Sequence, residues 1–108
     1  MTVESFAKEY GYEILCMPAP NKEIMGGYAG DLLSWVMGRL DAGNAWVTIM
    51  SNVNIVAVAV LCEPSVIILS EGVDAEDGVV ARAEAQGINI IKTKKDTFLA
   101  CADIRSAL

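Results

Sequence analysis

The residues able to do chemistry sit in four short polar stretches, each following an apolar run. They are Gly26-Gly27-Tyr28-Ala29-Gly30-Asp31, Ser51-Asn52-Val53-Asn54, Ser70-Glu71-Gly72-Val73-Asp74 and Thr93-Lys94-Lys95-Asp96-Thr97. In the first, Gly26, Gly27 and Gly30 could bring backbone N–H groups close to a phosphate, or could make a tight strand-to-helix turn that needs positive φ. The stretch is not a dinucleotide-binding G-x-G-x-x-G, and no Lys-Ser/Thr follows to complete a P-loop. Asp31, at the head of a helix, would itself repel an anion. Ser51, Asn52 and Asn54 could bond the polar edge of a ligand, or could serve as helix caps. Ser70 and Glu71 offer one carboxylate without a partner, which is weak ground for acid–base work. Lys94 and Lys95 are the adjacent cations that could neutralise a phosphate, or could form a solvated loop.

These stretches need elements to position them, and the chain supplies a repeated strand–loop–helix rhythm. The strands read as Glu13–Met17, Ile24–Tyr28, Ala45–Met50, Val66–Leu69 and Ile88–Ile91. The helices read as Val3–Glu9 capped by Thr2, a segment opened by Asp31 as its cap, Val53–Cys62, Asp74 or Ala75 through Gln86, and a last one capped by Asp96. In that last helix Phe98, Leu99, Cys101 and Ala102 are expected to face inward. The pattern predicts an α/β fold, a mostly parallel sheet with helices on both faces. Such a sheet gathers the loops at its strand C-termini on one edge, where ligands bind.

Composition narrows the functions. The 108 residues carry 8 Lys and Arg against 14 Asp and Glu, no His, and a net charge of −6. That balance disfavours nucleic acid and anionic membranes as partners, since both demand clustered cations. At 54% hydrophobic content the chain can fill one core, and its length fits one domain over residues 1–108. Met1–Tyr10 is too polar for a secretory leader, and the apolar run Ile55–Cys62 is too short to span a bilayer, so the expected location is cytoplasmic. Cys16, Cys62 and Cys101 are far apart, and without histidine they make no zinc site; they read as small hydrophobes. No metal, cofactor or catalytic residue is predicted, because no nucleophile–base pair can be assembled.

The segment Val53–Cys62 is apolar nearly all round, which means burial on more than one side. A domain this small is expected to cover it with a second copy, giving a homodimer whose interface includes Tyr28, Trp35, Val53, Val56 and Val60.

Taken together, the runs Gly26–Ser34, Ala45–Ile49, Asn52–Ala59, Val66–Gly72, Gly87–Ile91 and Asp96–Phe98 resemble a DRTGG domain over nearly the whole chain. The letters Asp-Arg-Thr-Gly-Gly do not occur in order; Asn21–Gly27 comes nearest, with Gly26-Gly27 matching the final glycines. The resemblance implies a fold like the N-terminal domain of HPr kinase/phosphorylase. Related domains accompany CBS domains in some pyrophosphatases and precede the catalytic part of some phosphate acetyltransferases, where they look regulatory and self-associate. Small free-standing members are often encoded beside iron hydrogenase or anti-sigma-type kinase components. It implies a non-catalytic regulatory domain. Two alternatives stand beside it: a sensor of a small phosphorylated metabolite or adenine nucleotide, its site formed by Gly26–Asp31, Ser51–Asn54 and Lys94–Lys95, and an accessory of hydrogenase or redox machinery with a protein partner there, resting on the family's neighbourhood and the cysteines.

Overall fold

Thr2 closes the first turn as expected. Its Oγ1 accepts the Ser5 N–H at 3.2 Å, and α1 (Val3–Tyr10) runs to Gly11, whose φ of 76° is the left-handed stop. The computed structural model describes residues 1–108. After α1 come β1 (Glu13–Cys16), β2 (Gly26–Ala29), α2 (Leu33–Arg39), β3 (Asn44–Thr48) and α3 (Asn54–Cys62). Next are β4 (Val66–Leu69), α4 (Val79–Gln86), β5 (Ile90–Lys92) and α5 (Thr97–Ala107). The five strands form one sheet in the order β1-β5-β4-β3-β2. β2, β3, β4 and β5 run parallel, and β1 closes one edge antiparallel to β5.

Side-chain alternation along the strands splits the core into two layers. Trp46, Ile67, Leu69 and Ile90 face a layer with Val36 of α2 and Leu40 just past its end, Ile55, Val56, Val58 and Ala59 of α3, and Val79 and Ala83 of α4. Ala45, Val47, Val66, Ile68 and Ile91 face Val3, Phe6 and Ala7 of α1 and Ala100 and Ile104 of α5. Helices therefore cover both faces, and the sheet is the mostly parallel α/β layer expected.

Several boundaries differ from expectation, each because a backbone group is taken elsewhere. The second strand starts at Gly26, since the Ile24 N–H bonds Met1. β3 stops at Thr48, since the Ile49 N–H goes to the Asp31 side chain. β5 starts at Ile90, because the Ile88 N–H closes the end of α4 on the Ala83 carbonyl. α4 starts at Val79; Glu76 is tied to the Ser51 carbonyl, and Gly78 at φ 85° breaks the helical run before it. On α5 the expected inner face is wrong. Ala100 and Ile104 are buried, whereas Phe98 is 79% and Leu99 48% exposed. Apolar residues surround the first turn of α5, so periodicity alone could not choose its face.

Candidate functional site

The four parallel strands deliver their C-terminal loops to one rim: Gly30–Leu32, Ile49–Val53, Ser70–Gly78 and Thr93–Asp96. Hydrogen bonds between neighbouring loops stitch that rim together. Asp31 is not the cap of α2; the capping position is Leu32, which makes no side-chain bond. Instead Asp31 Oδ1 accepts the Thr48 hydroxyl at 2.8 Å and the Ile49 N–H at 2.9 Å, pinning the end of β3. Asn52 Oδ1 accepts the Asn54 N–H at 2.9 Å, and Ser51 Oγ lies 3.4 Å from Glu76 Oε2. Ser70, fully buried, shares a hydroxyl–hydroxyl bond of 2.8 Å with Thr97. The Glu71 carboxylate accepts the Thr97 N–H at 2.8 Å and Asp96 accepts that of Leu99 at 2.8 Å, so two carboxylates occupy the N-terminus of α5. The rim also carries Asp74, Glu76 and Asp77.

Lys94 and Lys95 part company. Lys94 is exposed, while Lys95 turns over the Tyr12 ring to reach Asp103 Oδ2 at 2.6 Å and the Tyr10 carbonyl at 3.2 Å. Lys92 pairs with Asp74, and that hydrogen bond raises the lysine pKa. Tyr12 donates its hydroxyl to Asp103 at 2.9 Å. Burial first, then the neighbouring carboxylate, pushes the Tyr12 pKa far above that of a free phenol. Burial also raises the Cys16, Cys62 and Cys101 thiols, leaving them poor thiolates.

The glycines serve packing. Gly26 and Gly27 lie inside β2, ahead of the rim, and neither they nor Gly30 has positive φ. A Cβ on Gly27 would stand 3.1 Å from Ile104 Cγ2, and one on Gly26 would stand 2.8 Å from Asn44 Oδ1. The Gly30 carbonyl accepts the indole N–H of Trp46 at 3.0 Å. Of the expected interface residues, Trp35 is 56%, Val53 42% and Val60 48% exposed, Tyr28 is half-buried, and Val56 lies in the core at 2%. Sequence reasoning passed over a cleft of about 250 Å³ between β2 and α5, lined by Gly27, Ala29, Cys101, Ile104, Arg105 and Leu108. The signal was present as the spacing 101, 104, 105, 108 along one helix flank.

The DRTGG domain model matches residues 29–107, and the chain belongs to that family. Asn21–Gly27 lies ahead of the matched residues. Among solved structures, the chain is similar to the CBS and DRTGG domains of the regulatory region of Clostridium perfringens pyrophosphatase, complexed with its activator, diadenosine tetraphosphate. The TM-score is 0.73 at 15% identity, covering 99% of this chain and 47% of that one, so the likeness is one of fold. The chain spans about half the length of that structure. The curated proteins offer no match. No helix is long and apolar enough to cross a membrane.

Proposed function

We propose that residues 1–108 act as one non-catalytic regulatory unit that works as a homodimer, with the outer face of α3 as its seam. One observation carries this reading. α3 lies between α2 and α4, has no charged residue, and with Val53 at its capping position directs an apolar stripe outward at Val53, Ala57, Val60 and Leu61. That i, i+4, i+7, i+8 spacing is the pattern by which one helix packs on another. Val60 is 48% and Leu61 67% exposed, and Trp35 and Met37 of α2 extend the apolar surface. Small Ala57 at the middle of the stripe allows close approach of a second α3, and a two-fold pairing places like on like. Light scattering on the eluted protein at micromolar concentration tests the reading: a dimer mass is expected, and a clean monomer overturns it.

A second reading is favoured by the activator complex of the Clostridium region. Here the rim takes a small phosphorylated ligand through exposed Lys94 after β5, or through Ser51, Asn52 and Asn54 after β3, two strands away along the sheet. The carboxylates Asp31, Glu71, Asp74, Glu76, Asp77 and Asp96 weigh against it. Ligands that bind only the folded state raise Tm, so diadenosine tetraphosphate or an acyl phosphate at millimolar concentration should do so. An unchanged Tm overturns this second reading.

A further inference from the structure

The two edges of the sheet are finished differently. β1 carries Glu13 at its start, a register irregularity between Ile14 and Cys16, and Pro18 just beyond its end. Charge, bulge and proline are the devices that stop an edge from pairing with another chain. β2 has none of them. Its sequence is Gly-Gly-Tyr-Ala, its four residues pair in plain parallel register with Asn44–Val47 of β3, and nothing pairs on its other side. Unpaired strand backbone is a template for a further strand.

Beside that open edge stands a built wall. The flank of α5 formed by Cys101, Ile104 and Arg105, with Leu108 just past its end, closes the cleft against Gly27 and Ala29. Gly27 sets how closely the wall approaches, since its missing Cβ admits Ile104. The wall is apolar except for Arg105, which is exposed and has no ion-pair partner in a chain with six more acidic than basic side chains.

We propose that the β2–α5 cleft is a docking site for an extended peptide segment of a partner protein. The segment adds a strand to β2 through its backbone. Alternate small apolar side chains lie against Ile104 and Leu108, and a carboxylate meets Arg105. Main-chain pairing supplies affinity in this mode of recognition, and the side-chain positions supply specificity. Self-pairing of β2 fits worse. Two copies related by a two-fold axis would merge two identical α5 flanks and bring Arg105 towards Arg105. The proposal does not rest on the α3 seam, which lies on the opposite layer of the molecule.

The test uses the full chain, isotope-labelled, titrated with the synthetic peptide acetyl-Val-Thr-Val-Ser-Glu. Amide shifts confined to Gly26–Ala29 and Cys101–Leu108 are expected. Every second peptide amide of an added strand points at β2. N-methylating one alternate set should therefore weaken binding at least about tenfold while the other set is tolerated. Replacing the peptide Glu with Gln, or Arg105→Glu in the protein, should each cost about tenfold. Val60→Glu should bind the peptide unchanged, separating this site from the proposed dimer seam. Absence of shifts at millimolar peptide, equal binding of both N-methylated series, or shifts of the β2 amides on raising protein concentration alone would each overturn the proposal.

Discussion

Lys95 Nζ lies 2.6 Å from Asp103 Oδ2, and this one contact decides what the loop after β5 can do. The lysine that stands beside Lys94 in sequence is drawn across to α5, under the same carboxylate that holds the Tyr12 hydroxyl. The rim is left with Lys94 and a group of carboxylates. A cation that the sequence offers to a ligand is spent on holding α5 and the end of α1 together.

Removing either partner strands the other in a partly buried setting. Lys95→Ala or Asp103→Ala should each lower unfolding free energy by about 1–3 kcal/mol in urea titrations. The double variant should cost less than the sum of the two, because the pair is coupled. Additive losses would show that the contact carries no energy.

Tyr12 makes stability pH-dependent at the alkaline end. Its folded pKa is raised above the unfolded value, so its contribution is fully present below about pH 10. Above that pH the unfolded chain releases the phenolic proton and the folded chain keeps it. Stability should then fall with a slope of up to about 1.4 kcal/mol per pH unit. Tyr12→Phe should flatten this part of the profile in denaturant titrations between pH 9 and 11; an unchanged slope would count against the assignment.

Asp31 tests whether the rim is structural. Asp31→Ala leaves the Thr48 hydroxyl and the Ile49 N–H without their acceptor, and should cost about 1–2 kcal/mol. Asp31→Asn keeps an acceptor oxygen and should cost less. Thermal melts of the two variants check the order, and the reverse order would show that the charge, and not the hydrogen bonds, matters.

Gly27→Val should destabilise the fold by about 1–3 kcal/mol, because its side chain must push Ile104 from a position already 3.1 Å from the first added carbon. Relief by Ile104→Ala in the double variant would locate the clash. If Gly27→Val melts like the wild type, close strand–helix packing is not what this glycine provides.

Val60→Glu places a charge in the proposed seam at a position outside the buried core, since Val60 is 48% exposed. Light scattering should report a monomer, and circular dichroism an unchanged secondary structure. A variant that keeps the dimer mass would move the seam away from α3.

What could be read in advance follows the range of the forces involved. The strand Val66–Leu69 is four apolar residues in a row and is buried throughout, as continuous hydrophobic runs in parallel sheets are. Thr2 and Asp96 bond N–H groups three residues ahead, so their capping was visible locally. Asp31 has the same chemistry, but its acceptor is claimed by Thr48 and Ile49, 17 and 18 residues on. Asn89 escaped notice altogether. Set in an apolar strand sequence, it is 1% exposed and bonds both backbone groups of Ala19, at 2.9 and 2.7 Å, anchoring the proline turn.

From its sequence alone this chain is an α/β layer of the DRTGG kind, with its polar loops on one rim and an uncharged central helix. Periodicity, caps and breakers act over a few residues and are written in order. Only the tertiary structure decided which polar groups consume one another, which side of α5 turns inward, and that β2 lies open beside Arg105. Those outcomes depend on partners from 8 to 91 residues away, chosen because a polar group taken out of water is costly unless it finds a hydrogen-bond partner.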